Sequence, residues 1–164
     1  MTIIDKIALS IAIAAAVIAI ASLSMPREIS TSVEPTARTF YINAIEPKGS
    51  TNISTEPFPN STLPPGGGYE LKEPDEQGNW LVETYVFDPS VLVVFEGDQI
   101  TLNILGVNGK IHAISVEGYV DEFELHRGEL KTVTFTADKV GTIEFICNIH
   151  QPTMYGQIIV LSKR

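Results

Sequence analysis

The sequence predicts an all-β protein, an antiparallel β-sandwich preceded by one N-terminal transmembrane helix. Three observations carry that expectation. Beyond Asn79, short β-branched and aromatic runs are punctuated by turn residues at a spacing of roughly 8–12 residues. No helical periodicity appears after Pro26. Between Ile7 and Met25 the chain carries no charged residue at all.

That first segment reads IALSIAIAAAVIAIASLSM, followed by Pro26 and Arg27, which stop a helix. At a rise of 1.5 Å per residue it spans the roughly 30 Å of a bilayer core, and it is longer than the roughly 7–15 apolar residues of a signal peptide. Residues 1–25 are therefore expected to be a transmembrane anchor. The competing expectation is a cleaved signal peptide, for which Ala19-Ile20-Ala21 supplies a small-x-small site. Lys6 on one side and Arg27 and Arg38 on the other do not orient the segment. Either way the rest of the chain is expected on the extracytoplasmic (periplasmic or pseudoperiplasmic) face of a membrane.

Residues 26–78 are rich in Ser, Thr and Pro, with Pro26, Pro35, Pro47, Pro57, Pro59, Pro64 and Pro65 and the run Gly66-Gly67-Gly68. Such a stretch buries little apolar surface against its ordering entropy and is expected to act as a tether. Within it, residues 39–45 (TFYINAI) alternate and are aromatic, a candidate edge strand for the domain beyond. Asn52-Ile53-Ser54 and Asn60-Ser61-Thr62 fit the N-glycosylation pattern.

The folded domain is expected over 79–164. Its strand runs are Trp80–Phe87, Val91–Phe95, Gln99–Leu105, Ile111–Val116, Tyr119–Leu125, Leu130–Ala137, Thr142–Cys147 and Tyr155–Leu161. Alternation puts His112 on the face of Ile114 and Val116, and Cys147 on the face of Phe145 and Ile143. Both polar groups are thus aimed at the core at strand ends, where an unpartnered one costs free energy. Trp80 and Tyr85 read as packing residues, Glu117 as surface, and His126 as a solvated turn residue beside Arg127-Gly128.

The chemistry concentrates at the C-terminus. Cys147, His150 and Met154 fall on one short loop between two strands, and Cys147 is the only cysteine. A single thiol excludes an intramolecular disulfide, a CxxC redox pair and a four-cysteine metal site. Taken singly, a strand-end Cys is a small hydrophobe and a Met a gap filler. Together with His112 they make two imidazoles, a thiolate and a thioether. That is the donor set of electron-transfer copper, a trigonal His₂Cys site with a weak axial Met. Zinc accepts the first three but rarely a thioether.

At these residues the chain resembles the cupredoxins, the blue-copper-type Greek-key sandwiches. The likeness runs from about Val86 to Leu161. It rests on Phe87-x-Pro89, Leu92-x-Val94-x-x-Gly97-Asp98-x-Ile100, His112, Val133-x-Phe135-x-Ala137-Asp138-Lys139-x-Gly141 and Cys147-x-x-His150-x-x-x-Met154-x-Gly156. In backbone pattern Glu129–His150 looks like the nitrosocyanin type, but that type has Glu where His112 stands and His where Met154 stands. The resemblance implies one copper ion held by His112, Cys147, His150 and Met154, with the Ile111 carbonyl as a second axial neighbour. It also implies an electron port at His150 with Pro152 nearby. Where many members carry Asn after the first His ligand, this chain has Ala113.

The function expected is therefore a type 1 (blue) copper electron carrier on a membrane tether, not an enzyme. A net charge of −9 without clustered Lys and Arg argues against nucleic acid and for a basic redox partner, such as a c-type cytochrome or a membrane oxidase. The competing expectations are a nitrosocyanin-like red copper site with a catalytic or small-molecule-binding role, copper delivery or storage, and a metal-free immunoglobulin-like module.

Overall fold

The computed structural model describes residues 34–163. The expected membrane segment, 7–25, lies outside them, and no helix among the described residues is long and apolar enough to cross a membrane. Alternation of branched and aromatic residues builds twelve strands among the described residues: β1 (Ala37–Ile45), β2 (Lys48–Asn52), β3 (Tyr69–Lys72), β4 (Asn79–Thr84), β5 (Val86–Asp88), β6 (Val91–Phe95), β7 (Gln99–Gly106), β8 (Ile111–Val116), β9 (Val120–His126), β10 (Leu130–Thr136), β11 (Gly141–Cys147) and β12 (Tyr155–Leu161). One sheet has the order β10-β7-β1-β5 and the other β6-β12-β11-β8-β9, with a small third sheet β2-β4-β3. Their inward residues meet in one core that includes Ile42, Ile100, Leu102 and Ile104 from the first sheet. From the second come Val94, Ile114, Phe145, Ile158 and the Cys147 thiol.

The sandwich is not purely antiparallel. β1 runs parallel to β7 from Ala37↔Gln99 to Ala44↔Gly106, and β6 runs parallel to β12 from Gln157↔Val91 to Leu161↔Phe95. Neither pair is adjacent in sequence, so neither is bound by hairpin geometry, and a long excursion can return the chain in either sense.

Residues 26–78, expected as a tether, carry β1, β2 and β3 from Ala37 onward. β1 is no loose edge: Ile42 and Ala44 are fully buried, and β7 pairs its length while β5 closes its end at Asn43, Ala44 and Ile45. Pairing with β7 supplies the burial that local composition does not display. From Pro35 to Pro65 the prolines of this stretch fall in the connections, where a missing N–H costs no ladder bond.

The expected single run Trp80–Phe87 breaks at Tyr85. Up to Thr84 it pairs with β2 and β3, and from Val86 it pairs with β1. Tyr85 stands at the crossing between two sheets, its N–H donating to the Gly68 carbonyl at 2.8 Å. Trp80 behaves as a packing residue, buried with Phe58 edge-on at 5.5 Å and its Nε1–H on the Glu56 carbonyl at 3.0 Å.

At the opposite end, the buried Asp98 gathers the start and finish of the domain. It accepts from Thr36 N–H at 2.9 Å and Phe95 N–H at 3.0 Å, pairs with Arg38, and lies 3.4 Å from Lys163 Nζ. Burial alone would raise its pKa, but these donors and the Arg38 charge outweigh it and hold the carboxyl far below the usual range.

Candidate metal centre

β8 and β11 bring the separated residues together. They pair antiparallel with Cys147 opposite Ile114, so the thiol at the end of β11 and the imidazole near the start of β8 enter the core at one end of the sandwich. The tie between the two ligand segments is made by main chain, Asn148 N–H donating to the Ala113 carbonyl at 2.8 Å. A bond of this kind needs no side chain at position 113.

His112, Cys147 and His150 offer ligand atoms that all lie within 4.8 Å of one another. Cys147 Sγ is 3.3 Å from His150 Nδ1. His112 and Cys147 are fully buried, and His150 is half-buried. Met154 is also fully buried, in the same core cluster as Cys147. The loop folds back on itself: Cys147 N–H donates to the Met154 carbonyl at 3.0 Å, and Met154 N–H to the His150 carbonyl at 3.0 Å. The Gln151 side-chain amide bridges the carbonyls of Cys147 and Met154, each at 3.0 Å.

The two imidazoles are in the state a metal needs, and the thiol would give up its proton on binding one. Burial pushes the Cys147 thiol above its ordinary pKa. It also pushes both imidazoles down, His150 to about 4 with His112 as a second cause, so both are neutral at pH 7. His112 Nε2 lies 2.9 Å from the Asn108 carbonyl, and as a neutral ring it donates that N–H. Its Nδ1 is then a bare lone pair, and it is a buried polar atom with no hydrogen-bond partner. A buried acceptor with nothing to satisfy it, on a ring clustered with a thiol and a second imidazole, is what a metal would complete. Two imidazoles, a thiol and a nearby thioether fit copper better than zinc, since the soft sulfurs suit Cu(I) and the imidazoles Cu(II).

Residues that the sequence does not mark surround the site. Tyr85, expected only to pack, lies flat against His150 with ring centroids 3.6 Å apart and 5° between planes. Its hydroxyl donates to the Glu46 carboxylate, which is buried and also paired with Lys48 at 3.0 Å. Burial would raise the Glu46 pKa, but the Tyr85 and Lys48 bonds outweigh it and hold the carboxyl below its usual range. Gly109, at φ +82°, passes over the His112 ring so closely that a Cβ would stand 3.1 Å from it.

The glycine run is also part of the site. A Cβ on Gly66 would strike the Gln151 carbonyl oxygen, one on Gly67 that of Ile149, and one on Gly68 both the Thr153 hydroxyl and the His150 carbonyl. Gly68 N–H donates to the Gln151 carbonyl at 3.0 Å, and Thr153 Oγ1 donates back to the Gly68 carbonyl at 2.6 Å. The run is a strap laid on the ligand loop, and only glycine allows backbone to approach that closely. Its three consecutive glycines are the one signal that could have pointed to it. Pro152 is exposed on the same loop, Ile149 beside it is exposed, and His126 is half-exposed on the surface, 3.7 Å from Glu124.

Residues 68–160 match the family model of the cupredoxin-like domain. No curated protein matches the chain in sequence. Among solved structures, a multicopper oxidase, mgLAC, is similar at 20% identity and TM-score 0.50, over 78% of this chain and 40% of that one. A copper nitrite reductase from Nitrosomonas europaea is similar at 21% identity and TM-score 0.51, over 77% of this chain and 42% of that one. This chain therefore spans about two fifths of either protein, and the likeness is one of fold.

Proposed function

This chain belongs to the cupredoxin-like domain family, matched over more than half its length, and from that premise we propose that it is a mononuclear type 1 copper protein that passes single electrons at a membrane surface. The observation that carries this is the convergence of ligand atoms from His112, Cys147 and His150 within 4.8 Å, in a cluster whose His112 ring keeps a buried Nδ1 without a hydrogen-bond partner. Copper, when bound, supplies a one-electron Cu(I)/Cu(II) couple. His112, Cys147, His150 and Met154 would hold it, the soft sulfurs favouring Cu(I) and the imidazoles Cu(II).

The protein's part is rigidity and exclusion of water. A loop closed by its own main-chain bonds and strapped by Gly66–Gly68 keeps the donors in place whichever charge the site carries. His150, the donor that is only half-buried, would be the port, with exposed Ile149 and Pro152 as the apolar contact for a transient partner. The acidic chain favours a basic partner domain, such as a c-type cytochrome or the exposed domain of a membrane oxidase, on the extracytoplasmic side. The apolar segment Ile7–Met25 would keep the carrier at the surface where that partner sits.

The test is spectroscopic. The full chain, in detergent and loaded with Cu(II), should show an intense visible thiolate-to-copper band and a narrow copper hyperfine splitting. Cys147→Ser should abolish the band. A red or colourless wild-type protein, or a Cys147→Ser variant that stays blue, overturns the assignment.

A further inference from the structure

Two arms, one hydrogen-bonded throughout and one ending in a ring stack, connect the imidazoles of His112 and His150 to one residue that the ligand chemistry itself does not require. We propose that Glu46, between β1 and β2, is the common anchor of both, with Tyr85 the positioning residue for His150 and Asn108 the positioning residue for His112. The proposal rests on the metal-site assignment above and says how this chain fixes that site.

The first arm runs through the Glu46 side chain. Its carboxylate, only 4% exposed as a residue, accepts from the Tyr85 hydroxyl and is itself held by Lys48. The Tyr85 ring covers one face of His150 at 3.6 Å, while its own backbone is fixed by the bond to Gly68. With the phenol pinned at its oxygen and its main chain, the imidazole cannot turn without displacing a ring held at both ends.

The second arm runs through the Glu46 backbone. Its N–H donates to Asn108 Oδ1 at 2.7 Å and its carbonyl accepts from Asn108 Nδ2 at 2.8 Å, a closed two-bond bracket. The Asn108 main-chain carbonyl then accepts from His112 Nε2–H at 2.9 Å. Val107 N–H on the Ala44 carbonyl, at 3.0 Å, fixes the same loop from the β1 side. The bracket therefore sets both the ring orientation of His112 and its tautomer, leaving Nδ1 as a buried lone pair without a partner.

Because both arms end on one residue, the separation of the two imidazoles is set by the chain before any ion arrives. A site arranged in this way changes shape little when its charge changes by one, which is the condition for rapid one-electron exchange.

The experiment uses the full chain in detergent, metal-free and then titrated with Zn(II) and Cu(II). In the metal-free protein, NMR should show the His150 ring protons shifted upfield by the Tyr85 ring. That shift is expected to vanish in Tyr85→Leu and to persist in Tyr85→Phe, which keeps the stack. The slowly exchanging His112 Nε2–H should be lost in Asn108→Ala while the His150 signals stay put. Glu46→Ala should disturb His150 alone, since it removes the carboxylate and keeps the backbone bracket. Zn(II) affinity should fall about 10–100-fold in Tyr85→Leu and in Asn108→Ala. Tyr85→Phe, the variant least disruptive to folding, should shift the copper reduction potential in the same direction as Glu46→Ala.

The anchor is overturned if folded Tyr85→Leu keeps the His150 ring shifts, or if Asn108→Ala keeps a protected His112 Nε2–H. It is equally overturned if Tyr85→Phe and Glu46→Ala leave the potential at the wild-type value. A wild-type chain that binds Cu(II) without a thiolate band would overturn the electron-transfer function instead. The metal-free ring shifts would still decide the anchor.

Discussion

Met154 is the ligand candidate whose role turns on one atom. It is fully buried beside Cys147, and its main chain is bonded to both Cys147 and His150, so the loop fixes its backbone before its sulfur matters. A thioether is a soft, weak donor that favours Cu(I), whereas an amide oxygen is harder and favours Cu(II). Met154→Gln should therefore retain copper and lower the reduction potential, as read by redox titration of the visible band. An unchanged potential would remove Met154 from the residues that hold copper. The residue scale also shows where sequence reasoning stops. Cys147, His112, His150 and Met154 are conspicuous because their side chains carry ligand chemistry. Tyr85, Glu46 and Asn108 are common residue types whose part depends on which neighbour they meet.

At the scale of elements, the strap Pro65–Gly68 and the ligand loop Ile149–Thr153 behave as one unit although more than 80 residues apart, as the Thr153–Gly68 bond spans |i−j| = 85. A side chain at Gly67 has no room, because its Cβ would meet the Ile149 carbonyl, which is backbone and cannot swing away. Gly67→Val should push the strap off the loop. The expected result is a broadened or shifted thiolate-to-copper band and faster copper loss to a chelator, with the far-ultraviolet circular dichroism of the sheets retained. A Gly67→Val protein with wild-type spectrum and copper off-rate would show that the strap does not constrain the loop. The same run illustrates how composition misleads: glycine and proline in succession read as freedom, yet here glycine is used for close approach. Nothing local distinguishes the two uses.

For the whole molecule, the Asp98 cluster joins residues 36 and 38 at the start of the domain to Lys163 at its end, remote in sequence from everything between. The Asp98 carboxyl is held far below its ordinary pKa of about 3.9. A carboxyl depressed in the folded state contributes stability that is fully present above the unfolded-state pKa and is lost as pH falls through the folded-state value. The described domain should therefore lose stability as pH drops below about 4. Asp98→Asn should lower stability at pH 7 by roughly 3–5 kcal/mol, because Arg38 and Lys163 are left facing a neutral amide. Chemical denaturation at pH 7 and pH 3 reads both effects. A variant as stable as wild type at pH 7, or one whose difference from wild type does not shrink in acid, would contradict this account.

The same scale separates what was legible in the chain from what was not. Period-two alternation located the strands from Val91 onward almost to the residue. It also set the inward faces of His112 and Cys147, because side-chain direction in a strand is a local property. The scarcity of thiols, imidazoles and thioethers identified the four ligand candidates, since few residue types can bind a metal and three of the four fall on one loop.

What the sequence by itself determined is thus the class of the sandwich, the strand faces and the donor set. Tertiary structure alone decided the rest. It set the parallel pairing of β1 with β7, the inclusion of residues 37–72 in the folded body, the strap over the loop, and the Glu46 anchor behind both imidazoles. The physical reason is range: alternation and ligand type are written within a few residues of each other. Strand pairing, close backbone approach and second-layer hydrogen bonds join segments far apart in the chain, as the |i−j| = 39 bond between Tyr85 and Glu46 and the |i−j| = 62 bond between Glu46 and Asn108 do.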